Sequence, residues 1–109
     1  PKNALNILLI NVDIGLISSS LSNTITVALH EGTTANALAA TLTYRSGADG
    51  TRHSTSLMHK MVAGSTSELT FRVRAGGSAA GTTTFNGYSG ARKLGGVCAS
   101  SITIMEIQV

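Results

Sequence analysis

The segment from Ala4 to Ile14, ALNILLINVDI, constrains this chain more than any other feature, because it is apolar on both parities of a strand. Leu5, Ile7 and Leu9 share one face, and Leu8, Ile10, Val12 and Ile14 share the other. Side chains alternate across a strand, so a strand apolar on both faces must be covered on both. In a two-layer sandwich the second face then needs a further layer or another subunit. Helix is the poorer reading, since no window sustains apolar residues at i, i+3, i+4 and i+7 and β-branched residues with Gly run the whole length.

The rest of the chain repeats strand and turn. Thr24 to His30 sets Ile25, Val27 and Leu29 against Thr24, Thr26, Ala28 and His30. EGTTAN turns the chain, and Ala37 to Tyr44 follows as a strand in which Leu38, Leu42 and Tyr44 share a face. Residues 45–53, RSGADGTRH, read as a polar surface loop. Ser54 to Val62 and Glu68 to Ala75 alternate, the latter with Leu69, Phe71 and Val73 inward and Arg72 and Arg74 outward. Thr82 to Phe85 is a short strand, Gly87 to Gly96 a second long Gly-rich loop, and Ser100 to Val109, SSITIMEIQV, a closing strand again apolar on both parities. Short strands with turn signals every 8 to 12 residues predict an all-β antiparallel sandwich. At 109 residues the expectation is a single jelly-roll domain over 1–109. If the first and last strands pair within one sheet, the sheet keeps an apolar face for neighbouring copies. Leu8, Ile10, Val12, Ile102 and Ile104 are the residues expected at a threefold interface.

Composition limits function. Only 12% of residues are charged, about half the usual share, which suits a protein held in a fixed assembly. Net charge is +3, with the basic residues scattered in ones and twos, so no nucleic-acid footprint is expected. No run approaches the roughly 20 apolar residues that span a bilayer, so no membrane insertion is expected. One cysteine, Cys98, excludes an intrachain disulfide and reads as packing.

Candidate chemistry is sparse. His30, His53 and His59 lack the same-face neighbours a strand-borne metal site needs. Ser54 and Ser56 beside His53 point away from it, and no Gly-x-Ser-x-Gly elbow exists. Asp49 has no second carboxylate in its loop for Ca²⁺. No catalytic residue, metal or cofactor is expected. Glu106 interrupts an apolar strand and must be hydrogen-bonded, paired or solvent-facing if that strand is central, with Arg72, Arg74 and Arg92 as candidate partners. Exposed loop candidates for binding are Arg45, Asp49, Arg52, Tyr88, Arg92 and Lys93, with Tyr44 and Tyr88 the only flat aromatics to offer a sugar. Arg92 and Lys93 among Gly residues suit an anion, although a surface turn accounts for them equally.

The opening PKNALNILLINVDIGLISSSLSNTITVALHEGTTANAL, the TFRVRAG and TTTFNG strands and the terminal SITIMEI resemble trimeric jelly-roll domains of the tumour-necrosis-factor and complement-globular-head type, as found in bacteriophage tail fibres and head-decoration proteins. The resemblance implies a homotrimer whose first and last strands line the axis, and no catalytic residues. On it rests the expectation of a virion structural protein, a capsid decoration or cement trimer or a fibre knob, located in the virion and touching capsid or fibre-shaft proteins. The alternative is a host-surface recognition module, for a glycan or protein receptor, at a tail-fibre tip.

Overall fold

The computed structural model describes residues 1–20, 23–45 and 52–109, without the side chain of Arg45. Among the described residues nine strands follow in order: β1 (Ile7–Ser19), β2 (Asn23–Glu31), β3 (Ala39–Arg45), β4 (Arg52–Val62), β5 (Phe71–Gly77), β6 (Thr83–Phe85), β7 (Gly87–Tyr88), β8 (Ala91–Arg92) and β9 (Ser101–Ile107). A short turn at Leu94–Gly96 precedes β9. The expected all-β antiparallel sandwich is what the chain forms.

In the first sheet β1 is central, with β4 along one side and β9 then β6 along the other. The second sheet has the order β3-β2-β5, and β7 with β8 forms a separate small hairpin. The two central strands supply nearly all of the core: Leu8, Ile10, Val12, Ile14 and Ile17 from β1 meet Ile25, Val27 and Leu29 from β2. Leu57, Met61, Leu69, Phe71 and Val73 pack around them partly buried. A core carried by one strand from each layer makes a thin, long body, 48 × 29 × 18 Å. Its radius of gyration of 15.6 Å exceeds the roughly 13 Å typical of a compact domain this size.

β1 runs five residues past the expected end. A register irregularity between Ile14 and Ile17 lets it do so, since the extra residue switches the inward parity from even to odd and returns Ile17 to the core. Arg52 and His53, expected in a loop, instead open β4, paired with Ser18 and Ile17. Most of the loop expected at 45–53, including Asp49, lies outside the described residues.

The parity of β1 corrects the expected interface. Leu8, Ile10 and Val12 point into the sandwich and are at most 3% exposed, so they have no surface left for a second copy. Ile102 and Ile104 keep 40% and 47% of their surface.

Candidate functional site

The outward face of β4-β1-β9 is built row by row from the ladder registers. Val62, Ile7 and Ile107 lie side by side; the next row is Lys60, Leu9 and Met105, then Met58, Asn11 and Thr103, then Ser56, Asp13 and Ser101. The N-terminal half of β1 therefore carries an apolar surface that fades to polar toward its middle. Met58, Val62, Met105 and Ile107 are between 42% and 62% exposed. No layer of the chain lies on this face among the described residues. Such a contiguous apolar sheet face on a weakly charged chain marks a contact surface.

A second apolar surface runs along the open edge of the sandwich. β9 and β5 are edge strands of the two sheets, and Ile102 and Ile104 project from the inner side of β9 toward Phe71 and Leu69. A groove of about 550 Å³ lies there, with Val12, Val73, Phe85 and Ile102 among its lining.

Glu106 closes one end of β9. Its carboxylate accepts hydrogen bonds from Asn6 Nδ2 and the Lys2 backbone N–H, both 2.7 Å. These bonds, the Asn6 amide foremost, hold its pKa below the usual carboxylate value. The expected arginine partners are not used: Arg72 and Arg74 stand on β5, and Arg92 reaches the Gly96 carbonyl at 3.5 Å. Asn6 is itself buried, and its Oδ1 has no hydrogen-bond partner among the described residues.

The loop candidates are partly brought together. The Arg52 guanidinium lies 3.6 Å from the Tyr88 ring centroid and the Lys93 ammonium 4.4 Å. This ties the start of β4 to the β7-β8 hairpin and to the residue that follows β8. Tyr88 is thus occupied by cations and offers no free platform, whereas Tyr44 stands 65% exposed on β3. Arg92 is adjacent; Asp49 and the Arg45 side chain are outside the described residues.

The histidines serve the fold or its surface. His30 is buried, with Nδ1 3.1 Å from the Thr34 carbonyl, and His59 pairs with Ile10 on the inner side of β4. His53 Nε2 is buried without a hydrogen-bond partner among the described residues. Among the described residues no three His, Cys, Asp or Glu side chains converge on a metal-sized site.

Sequence reading missed Asn23, which organises the entry to the second sheet. Its Oδ1 accepts from the Ser78 N–H and hydroxyl at 2.6 Å and from the Ala79 N–H at 3.1 Å, while Nδ2 donates to the Ala79 carbonyl. Nothing local in the sequence marks it, because its partners lie more than fifty residues away.

No curated protein and no solved structure matches the chain. The sequence model of one family does, over residues 1–109, and that family is described as the Pgp3 C-terminal domain, after the Chlamydia plasmid protein Pgp3. It is a trimeric tumour-necrosis-factor-like domain, so the fold half of the sequence resemblance stands and the bacteriophage half does not. The expectations of a virion structural protein, of a tail-fibre tip module and of a location in the virion are overturned by this match. The chain belongs to the family of Pgp3 C-terminal domains.

Proposed function

We propose that the chain is a non-catalytic assembly module that forms a homotrimer, using the outer face of β4-β1-β9 on one copy against the open β9/β5 edge of the next. The observation that carries this reading is the uncovered apolar face centred on Ile7, Leu9, Met105 and Ile107. These side chains are already partly covered, so removing the rest from water contributes on the order of 1 kcal/mol each, a sum over several residues that favours association.

Two different apolar surfaces on one chain favour a head-to-tail contact, and a head-to-tail contact that closes makes a ring. The association of the Pgp3 C-terminal domain with trimerisation supports a ring of three. Ile102 and Ile104 remain interface residues in this arrangement, on the edge, while Ile7, Leu9, Met105 and Ile107 take the place first given to Leu8, Ile10 and Val12. The non-catalytic part rests on the scattered acidic and histidine residues, which present no nucleophile with its base.

Native mass spectrometry of the purified chain tests it. A trimer that Met105→Glu converts to folded monomer is the expected result. A monomeric wild-type chain at micromolar concentration overturns the reading.

A further inference from the structure

At the end of the molecule away from the apolar face, four features meet in one short stretch. Arg52 and Lys93 both sit against Tyr88, and Arg92 precedes Lys93. Among the described residues none of the three cations is paired with a carboxylate. Leu94 and Val97 follow directly, 76% and 85% exposed. Leu94, Gly95 and Gly96 are three successive residues in the left-handed region, at φ 59°, 58° and 99°, and the turn is closed by the Val97 N–H donating to the Leu94 carbonyl at 3.1 Å.

Leu94 is the unexplained residue. A left-handed conformation costs a side chain with a Cβ roughly 1–2 kcal/mol, so glycine or asparagine would make the same turn more easily. An exposed leucine there contributes nothing to the core. Strain at a surface turn that aims an apolar side chain at solvent is a mark of function rather than of folding. Single exposed apolar residues are ordinary; here two of them flank a turn beside a tyrosine and three cations that no carboxylate among the described residues neutralises.

We propose that this tip, Arg52, Tyr88, Arg92, Lys93, Leu94 and Val97, docks on an anionic phospholipid surface. The cations meet the negative headgroups, and Leu94 and Val97 enter the headgroup boundary. This is the chemistry of interfacial anchoring, in which polybasic attraction and a small apolar insertion act together. A soluble polyanion would use the cations and leave Leu94 and Val97 without a role. A nucleic-acid base would have to displace the cations from Tyr88. No described helix is long and apolar enough to cross a membrane, and docking needs none.

The site is complete within one chain, so it does not depend on the trimer. Ser18, which pairs with Arg52, is nine positions from Leu9, a separation of roughly 30 Å along β1 at the usual rise. The Leu9 face of the trimer contact lies at the other end of β1 from the tip, and the groove on the β9/β5 edge comes as near to it as Phe85 and Asn86.

Flotation with phosphatidylcholine vesicles, with and without phosphatidylserine, tests the proposal. The wild-type chain is expected to float with the phosphatidylserine vesicles and not with phosphatidylcholine alone. Arg92→Gln and Lys93→Gln are each expected to weaken binding about fivefold. Leu94→Gly is the sharper variant: it relieves the strained turn, so the melting temperature holds or rises, while vesicle binding falls severalfold. Solution mass measured on every variant separates loss of docking from loss of assembly. Failure of the wild-type chain to float, binding unchanged in Leu94→Gly and Val97→Ser, or equal affinity for soluble heparin or DNA regardless of Leu94 would each overturn it.

Discussion

Ile10 and Ile104 stand directly opposite each other across the β1–β9 ladder, on the same face of one sheet, yet Ile10 has no exposed surface and Ile104 is 47% exposed. The difference is position in the sheet. β1 is central and lies over β2, whereas β9 is an edge strand that reaches past the cover of the second layer. Ile10→Ala should therefore destabilise the fold by about 3 kcal/mol, through lost burial and the cavity left behind. Ile104→Asp should cost the monomer fold less than about 1 kcal/mol and dissociate the assembly instead. Urea denaturation and native mass, measured on both variants, distinguish the two effects.

Asn23→Ala should cost about 2 kcal/mol, because the Ser78 and Ala79 groups bonded to its side chain lose that partner at the turn after β5. Hydrogen exchange at the Ser78 and Ala79 amides should accelerate well before the core amides of β1 and β2. Uniform acceleration across the chain would mean that Asn23 has no local role.

Glu106 makes the junction of β9 with the N-terminal turn sensitive to acid. Its pKa is depressed by the Asn6 and Lys2 hydrogen bonds, so its contribution is fully present above the ordinary value of 4.5 and is lost as pH falls below that through the folded pKa. The melting temperature of the wild-type chain should drop across that window. Glu106→Gln, which keeps an accepting oxygen but does not titrate, should flatten that part of the profile. An identical profile for both proteins would remove Glu106 as its cause.

Gly87 is buried where β7 turns, and a Cβ there would overlap the Ala91 carbonyl. Gly87→Ala should open the β7-β8 hairpin at a cost of about 1–3 kcal/mol. It should also release Tyr88 from Arg52 and Lys93. With two tyrosines and no tryptophan in the chain, tyrosine fluorescence reads this directly, and unchanged emission together with unchanged stability would count against the packing described.

Strand content and order were legible in the residues because alternation is a local property. Ile25, Val27 and Leu29 had to share a buried face, and the two-parity pattern of β1 required two covers, whatever the topology. Which parity of β1 faces its own chain was not legible. Both parities are equally apolar from Ile7 to Ile10, and the choice was made by β2 across the sandwich, which took Leu8, Ile10 and Val12 and left Ile7 and Leu9 outside. The same holds for Asn23 and Ser78, for Glu106 and Asn6, and for Arg52 and Tyr88, which are distant in sequence and meet only when segments far apart in the chain come together. Periodicity determined what each strand could bury; only the tertiary structure decided against which neighbour, because that choice depends on packing between segments that no local pattern encodes.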